Sequence, residues 1–272
     1  MRAAAERLSL PLKLGLRGSN GNVPGSGAGS SIDFQDHRPY VPGDDPRHID
    51  WQAYARSGHY TMKLYREEVR PIADIVLDAS ASMFFDETKA RRTMELAWFC
   101  LESALRSGGT ARLYSLQGAQ TASHELPGGW DSLAAAPDSA VPPALDRIPW
   151  RPGSLRILIS DLLYPVLPES FIPGLLSSRG RAIIFSPNCR AESAPDWLGN
   201  TELLDCETGA RRDLRIHAGD LADYASAYAS HFAMWRQEAR RHGIPLACVT
   251  AEEPFLQAMQ AEALPGGAVE LV

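Results

Sequence analysis

The sequence predicts an α/β fold: a doubly wound, mostly parallel sheet with an N-terminal extension and a small hairpin insertion. Between residues 70 and 272, short apolar segments alternate with segments of helical periodicity, as expected for strands that alternate with helices. Several apolar segments are nearly continuous, which is typical of parallel strands buried on both faces. A chain of 272 residues is long enough for one such domain with an appendage. We therefore divide the chain into an extension, residues 1–69, and a sheet domain, residues 70–272.

The first predicted strands lie on either side of a break at Arg70-Pro71. Residues 61–68 alternate apolar and polar side chains like a half-exposed strand, and residues 72–79 form a nearly continuous apolar segment that predicts a central strand. Asp86 is a suitable cap for a helix that runs to about Ser107, where two glycines end it. The alternation continues with a strand at 111–116, a helix from about 131, a strand at 155–160, a helix at 168–177 and a strand at 181–185.

A hairpin and the longest helix follow. Residues 203–216 predict two short strands around a turn at 207–209. The helix is expected to begin with a cap at Asp220 and to end at Gly243, before a strand at 245–249 and a last helix at 254–263. Its apolar residues recur at helical spacing, which favours a stripe that faces the core over a cofactor site. The stripe consists of Leu221, Tyr224, Tyr228, Phe232, Trp235 and Ala239.

Composition and charge exclude several classes of protein. The chain is 44% hydrophobic and 22% charged, as in ordinary globular proteins, and no segment approaches the roughly 20 apolar residues of a membrane span. With 27 Lys and Arg against 33 Asp and Glu, the net charge of -6 disfavours a dedicated nucleic-acid binder. No secretory signal is recognisable and the cysteines form no C-x-x-C pair, so we expect a cytoplasmic protein with reduced, packed thiols. The Gly- and Ser-rich residues 17–31 predict a mobile loop rather than a phosphate-binding loop.

The sharpest local pattern is D-x-S-x-S at the end of the first central strand. Alternate residues Asp78, Ser80 and Ser82 can direct three oxygens to one point above the sheet, and we expect Asp161, at the end of strand 155–160, to face them. Two carboxylates roughly 5 Å apart repel by about 3 kcal/mol at an effective dielectric constant of about 20. A cation such as Mg²⁺, a shared proton, or several hydroxyl and amide donors would offset that repulsion. The alternative is that both aspartates only cap the helices that follow them.

The D-x-S-x-S pattern and the later strand-end aspartate resemble the metal-ion-dependent adhesion site of von Willebrand factor type A domains. Residues 34–51, FQDHRPYVPGDDPRHIDW, with ARSG at 55–58, are similar to the signature of the bacterial domain-of-unknown-function family 58 (DUF58). Members of that family join this signature to a von Willebrand A-like, Rossmann-type domain and are commonly encoded beside MoxR-type AAA+ ATPases. The segment DCETGARRDL, 205–214, and the long aromatic helix are also similar, so the resemblance covers nearly the whole chain.

The resemblance implies a function and a site. The function is that of a non-enzymatic protein-interaction module, an adaptor between a MoxR-type ATPase and a client protein, with Mg²⁺ or another divalent cation bound weakly. The usual threonine ligand is missing, because Trp130 follows Gly128-Gly129, so the cation would depend on water, Asp131, Ser132 or a partner's carboxylate. The residues that the resemblance assigns to the metal are Asp78, Ser80, Ser82 and Asp161.

The segment 42–51 has two interpretations. Its Pro-Gly-Asp-Asp sequence is typical of a turn, in which arginines 38, 47 and 56 can pair with nearby aspartates as a brace, while Ile49 and Trp51 anchor the loop on the body. The same loop can instead be a recognition surface for the ATPase or a client. The candidate binding residues are Asp44, Asp45, Arg47, Asp50 and Trp51, together with Asp131.

Two other functions stay open. A metal-dependent hydrolase could use Asp78 and Asp161, although Ser80 stands where an aspartate-based phosphatase usually has a second acid. Serine-hydrolase and zinc-protease chemistry are disfavoured, because the sequence contains neither G-x-S-x-G around these serines nor H-E-x-x-H. The remaining hypothesis is a scaffold whose D-x-S-x-S holds no metal, which Trp130 favours.

Overall fold

The computed structural model describes residues 2–12, 33–66, 70–117, 120–124, 144–177 and 180–272. The chain divides into two compact units, one formed by Met1–Leu14 with Pro71–Val272 and the other by Gly15–Arg70. The predicted mobile loop at 17–31 and the predicted helix from about 131 lie outside the described residues.

Helices and strands alternate along most of the described chain. The helices are α1 (Arg2–Ala5), α2 (Trp51–Ser57), α3 (Glu87–Arg106), α4 (Pro168–Leu176), α5 (Arg190–Ser193), α6 (Ala218–Arg241) and α7 (Phe255–Ala258), the last continued by a π-helical turn at Met259–Ala263. The strands are β1 (Leu8–Ser9), β2 (Asp33–Pro39), β3 (Thr61–Arg66), β4 (Ile72–Asp78), β5 (Thr110–Gln117), β6 (Gln120–His124), β7 (Leu155–Ile159), β8 (Arg181–Asn188), β9 (Gly199–Leu204), β10 (Arg211–Ile216), β11 (Leu246–Thr250) and β12 (Glu270–Leu271).

A six-stranded sheet of order β11-β8-β7-β4-β5-β6 forms the centre of the larger unit. All neighbouring strands are parallel except β5 and β6, which pair antiparallel at one edge. β4 and β7 lie side by side, with Ile75 opposite Ile157, and every residue of β7 is buried. The predicted mostly parallel α/β sheet is therefore confirmed.

Helices cover both faces of this sheet, because successive residues of a strand point to opposite sides. Ile75 and Leu77 pack in one hydrophobic core with residues of α3 and α7, whereas Val76 packs in a second core with residues of α4 and α6. Phe232, Trp235 and Ala239 of α6 are buried in that second core. The prediction that the aromatic stripe serves the core is confirmed for this half of the helix.

Two helix starts show how well local capping signals predict boundaries. Asp86 caps α3 as predicted, because its Oδ1 accepts hydrogen bonds from the backbone nitrogens of Thr88 and Lys89, both at 2.9 Å. The sequence predicted that Asp220 caps α6, and this prediction is wrong. The helix begins earlier, and Asp220 is its third residue, whose Oδ2 accepts a hydrogen bond from the nitrogen of His217 at 2.8 Å.

The predicted hairpin is also present. β9 and β10 pair antiparallel, with Leu204 opposite Arg211 next to the turn and Gly199 opposite Ile216 at the other end. Between them the chain turns at residues 205–210, where Gly209 has a φ of 69°. Glycine adopts this left-handed conformation without the steric cost that a side chain brings.

The first residues of the chain belong to the larger unit, whereas the sequence places them in the extension of residues 1–69. β1 pairs antiparallel with β12, and Leu8 and Leu10 are buried in the core that contains α3. The backbone nitrogen of Leu10 donates to Ser103 Oγ at 2.8 Å. Burial of these leucines is the physical reason why the first residues belong to the larger unit.

The smaller unit consists of β2, β3 and α2 with the loop between them. β2 and β3 pair antiparallel, with an irregularity between Phe34 and Asp36. Ile49 is buried and bridges Met62, so the loop returns to the strand pair. Within the described parts of both units, no helix is long and apolar enough to cross a membrane.

Candidate functional site

The D-x-S-x-S segment lies at the edge of the sheet where β4 and β7 end. Asp78 is the last residue of β4, and Asp161 follows β7 by two residues. Both aspartates, Ser80 and Ser82 border a single pocket of about 630 Å³. The structure thus brings the four predicted site residues to one cavity, as expected from neighbouring parallel strands that end at the same edge.

The donor set of this pocket is mixed. Among the described residues, no group of three or more His, Cys, Asp or Glu side chains forms a metal centre by itself. A cation in this pocket would therefore need the serine hydroxyls beside the carboxylates. Hydroxyl and carboxylate oxygens are the ligands that hard divalent cations accept, so the residues that are present fit such an ion.

Asp78 is almost completely buried, with 2% of its surface exposed. Ser160 Oγ donates to Asp78 Oδ2 at 2.7 Å, and the backbone nitrogen of Ser80 donates to Asp78 Oδ1 at 3.1 Å. Burial and the negative charge of Asp161 nevertheless raise the pKa of Asp78 to about 6. The two hydrogen bonds therefore stabilise the carboxylate only in part, and the site favours positive charge nearby.

The two serines turn toward the pocket from a short 3₁₀ turn. Their hydroxyl oxygens lie 3.0 Å apart, so one donates to the other. The backbone nitrogen of Ser82 donates to Glu207 Oε1 at 2.8 Å. Glu207 belongs to the turn between β9 and β10, and the hairpin therefore contacts the D-x-S-x-S segment directly.

A lysine neutralises Asp161. Lys89, in the first turn of α3, is fully buried, and its Nζ lies 2.8 Å from Asp161 Oδ2 and also forms a close ion pair with Glu192 Oε1. Burial opposes the charged ammonium, but the two carboxylates outweigh this effect and raise the pKa of Lys89 above its ordinary value. Part of the expected repulsion between the two aspartates is thus offset by an ammonium group of the chain itself.

The sequence analysis did not identify Lys89 or Glu192. A signal for Lys89 was present, because a cation in the first turn of a helix opposes the helix dipole and requires compensation. Glu192 gave no comparable signal. Its backbone oxygen accepts from Tyr224 Oη at 2.7 Å, and its side chain accepts from the nitrogen of Cys189 at 3.2 Å.

The backbone after β7 is held in an unusual conformation. Leu162 has a φ of 61° although it is not glycine, which costs about 1–2 kcal/mol. Two contacts fix it: its nitrogen donates to Ser160 Oγ at 3.1 Å, and its oxygen accepts from His231 Nε2 at 2.8 Å. The next nitrogen, that of Leu163, donates to Asp161 Oδ1 at 3.1 Å. Ser160 and His231, which sequence reasoning also missed, thus help to orient Asp161.

The loop of the smaller unit is braced by its aspartates. Arg38 forms a two-pronged ion pair with Asp44, with both nitrogen–oxygen distances at 2.7 Å. This contact holds the pKa of Asp44 below its usual range. Asp45 Oδ1 accepts from the backbone nitrogen of Arg47 at 2.9 Å and so caps a 3₁₀ turn. The predicted brace is therefore present for Arg38, whereas Arg47 and Arg56 form no ion pair within the described part of the chain.

Asp50 and Trp51 begin α2. Asp50 accepts from the nitrogens of Gln52 and Ala53 at 3.0 and 3.1 Å, and its Oδ2 lies 2.9 Å from His37 Nε2. The His37 contact, with help from these amides, lowers the pKa of Asp50 to about 2. Trp51 is 59% exposed, and its ring packs edge-on against Tyr54 and Tyr60 of the same unit, while its anchoring on the body stays a prediction. Trp130, Asp131 and Ser132 lie outside the described residues.

Comparisons with known proteins agree with the signature noted in the sequence. Residues 36–233 match the family described as "Protein of unknown function DUF58". The uncharacterized protein Rv1480 of Mycobacterium tuberculosis (strain H37Rv) is 27% identical over 277 residues, which is 93% of this chain and 86% of the relative. The uncharacterized protein Mb1516 of Mycobacterium bovis matches with the same identity and coverage.

Two solved structures are similar at a low level. One is the conserved hypothetical protein BatB from Bacteroides thetaiotaomicron, with 11% identity, 62% of this chain and 97% of that chain covered, and a TM-score of 0.31. The other is an aerotolerance-related membrane protein from Bacteroides fragilis, with 14% identity, 62% and 98% coverage, and a TM-score of 0.31. With TM-scores this low, neither structure carries weight for the fold or the function.

Proposed function

Because the chain belongs to the DUF58 family, whose function is unknown, we propose that it is a non-enzymatic interaction module that binds a partner protein through a divalent-cation site. The observation that carries this proposal is the shared pocket at the ends of β4 and β7. Within it, two carboxylates and two hydroxyls from separate segments border the same space. That donor set suits Mg²⁺ or Mn²⁺.

In this proposal the metal site consists of Asp78, Ser80, Ser82 and Asp161. When bound, the cation supplies a positive charge to which an acidic residue of a partner can bind. Ser160 and the Ser80 amide keep Asp78 oriented, and Leu163 does the same for Asp161. The strand order, with parallel β4 and β7 at the centre and antiparallel β6 at one edge, supports a von Willebrand A-like assignment.

The proposed partner is a MoxR-type AAA+ ATPase, for which the chain would act as an adaptor toward a client protein. The proposal of this partner rests on the family resemblance and on the β9–β10 hairpin, which borders the pocket. A second proposed contact surface is the braced loop, because an ion pair and a capping hydrogen bond hold its turn while Trp51 is exposed to solvent. Its residues are Asp44, Asp45, Arg47, Asp50 and Trp51.

Binding of a purified MoxR-type ATPase, titrated with Mg²⁺ or Mn²⁺, tests the proposal. We expect the wild type to bind more tightly with the cation and Asp78→Asn to lose that gain. Asp74→Asn is the matched control, because Asp74 is equally buried in β4 but pairs with Arg151, with 2.7 Å between Oδ1 and Nε. Equal binding by wild type and Asp78→Asn, with and without cation, would discard the bridging role.

One observation favours a second candidate, an interaction scaffold without a metal. Lys89, which is fully buried and does not border the pocket, already pairs its ammonium with Asp161, so the chain itself neutralises one of the two carboxylates. In that case chelation of divalent ions leaves partner binding unchanged. The two candidates therefore differ in whether EDTA alone abolishes the complex.

A further inference from the structure

Glu207 connects the β9–β10 hairpin to the D-x-S-x-S segment. Its Oε1 accepts a hydrogen bond from the backbone nitrogen of Ser82 at 2.8 Å. Its Oε2 is buried and, among the described residues, has no hydrogen-bond partner. The same side chain borders the pocket together with Asp78 and Asp161. One carboxylate thus joins hairpin and site, and one of its two oxygens still needs a donor or a cation.

The turn of the hairpin presents this carboxylate in a defined position. Asp205 Oδ1 accepts hydrogen bonds from the nitrogens of Glu207 and Thr208 at 2.8 and 3.1 Å. The nitrogen of Gly209 donates to the oxygen of Asp205 at 2.8 Å and closes the turn. Glu207 is therefore held by its own turn and by Ser82, which lowers the entropy that a ligand contact would otherwise have to overcome.

By the family resemblance, the proposed cation site lacks its usual threonine ligand. Trp130 stands at the position where the family resemblance implies a threonine, and an indole ring cannot replace that oxygen. A buried carboxylate oxygen without a donor is unfavourable unless a cation or a proton reaches it. The unpartnered Oε2 of Glu207 can therefore supply the oxygen that the absent threonine would have provided.

On the basis of the proposed function, we infer that Glu207 completes the coordination of the cation from within the chain. Cation binding then fixes the tip of the β9–β10 hairpin at the pocket. The hairpin carries the acidic ligand that the site otherwise takes from a partner. A partner's acidic residue must displace Glu207 to reach the cation.

The first test is calorimetric titration of the full chain with Mn²⁺. Glu207→Gln keeps an oxygen that can accept from the Ser82 nitrogen but removes the charge, so a loss of affinity reports metal coordination rather than a lost hydrogen bond. We expect Glu207→Gln to bind Mn²⁺ at least about tenfold more weakly than the wild type. Glu202→Gln is the control, because Glu202 lies on the same hairpin and also borders the pocket, but its carboxylate is exposed and paired with Arg211 at 3.0 Å.

The second test follows the position of the hairpin tip. Cys206 is exposed next to Glu207, whereas Cys100 and Cys189 are buried and Cys248 is half-buried. We expect Mn²⁺ to slow modification of the Cys206 thiol by a maleimide several-fold in the wild type, and to leave the rate unchanged in Glu207→Gln. Mass spectrometry of the labelled peptide assigns the reaction to Cys206.

The outcomes separate this inference from the proposed function. If wild type binds Mn²⁺, Asp78→Asn does not, and Glu207→Gln binds as tightly as the wild type, the cation site stands and the role of Glu207 is overturned. If the wild type itself binds no Mn²⁺, the cation site fails and Glu207 has no metal to complete. If Glu202→Gln weakens Mn²⁺ binding as much as Glu207→Gln does, the inference is also overturned. The loss of affinity would then reflect the total charge of the hairpin and not coordination by Glu207.

Discussion

Lys89 determines the charge balance of the pocket. Its ammonium is fully buried between Asp161 and Glu192, and each carboxylate depends on it for compensation. Lys89→Met keeps most of the volume but leaves both carboxylates without a counter-charge. Since breaking a buried ion pair from one side costs about 3–5 kcal/mol, we expect a loss of that size in the free energy of unfolding, measured with urea at pH 7.

Arg106→Met, on the same helix, is the control for Lys89→Met. Arg106 is exposed, and its contacts with Glu6 and Glu102 are long, at 3.7 and 3.8 Å. Surface pairs of this kind contribute about 0–1 kcal/mol. A loss for Lys89→Met no larger than that for Arg106→Met would show that the buried ion pair does not support the fold.

Asp78 makes stability depend on pH in an unusual direction. Its pKa of about 6 in the folded protein lies above the ordinary aspartate value of 3.8, so between these two pH values the folded state holds more protons than the unfolded state. Stability from this group therefore rises as pH falls from above 6 toward 4, by about 3 kcal/mol in total. The cause is burial of the carboxylate together with the charge of Asp161.

Asp78→Asn removes this titration. We expect the unfolding free energy of the wild type, minus that of the variant, to increase by up to about 3 kcal/mol between pH 7 and pH 4, with EDTA present. Denaturant titrations at several pH values measure it. A difference that stays constant with pH, or that decreases as pH falls, would mean that the pKa of Asp78 is not raised in the folded protein.

Individual elements divide into those that local sequence predicts and those that it does not. β4, α3 and the β9–β10 hairpin follow from hydrophobic periodicity, from the Asp86 cap and from turn residues, all of which act within a few neighbouring positions. The joint location of Asp78 and Asp161 also follows, because neighbouring parallel strands end at one edge. The contacts of Lys89, Glu192 and Glu207 could not be predicted from local sequence. The pairs Lys89–Asp161, Lys89–Glu192 and Ser82–Glu207 are 72, 103 and 125 positions apart in the chain.

The start of α6 illustrates the limit of local signals. Asp220 is suited to either the cap or the third position, since both place its carboxylate near free backbone nitrogens. Which one it occupies depends on where the preceding strand ends. β10 ends at Ile216, so the helix begins directly after His217.

At the level of elements, Arg92 links α3 to the end of β11. The side chain is buried, and its guanidinium donates to the backbone oxygens of Thr250 and Glu253 and pairs with Glu95 at 3.0 Å. Arg92→Met leaves these oxygens without their donor. We expect a loss of about 2–4 kcal/mol in urea unfolding, since each buried unsatisfied group costs about 1–3 kcal/mol. Its exposed neighbour provides the control: Arg91→Met should change stability by less than about 0.5 kcal/mol.

The whole molecule is organised differently from the simple division at residue 69 that the sequence suggests. Residues from both ends of the chain join in the larger unit, while Gly15–Arg70 form the smaller one. Composition could not predict this, because the segment 8–12 is only five residues long, and its alternating leucines do not indicate which strand it pairs with. Its place in the structure depends on pairing with residues more than 250 positions away.

The pairing of Leu8 with Leu271 allows a matched test of this organisation. The two leucines are partners in the β1–β12 register, but Leu8 is fully buried and Leu271 is 65% exposed. If the first residues are part of the core, Leu8→Ala creates a cavity and lowers the unfolding free energy by about 2–5 kcal/mol, whereas Leu271→Ala lowers it by less than about 1 kcal/mol. Equal and small effects would mean that the N-terminal segment only lies on the surface of the larger unit. Because the same chemical change is made at two paired positions, the difference in unfolding free energy isolates burial.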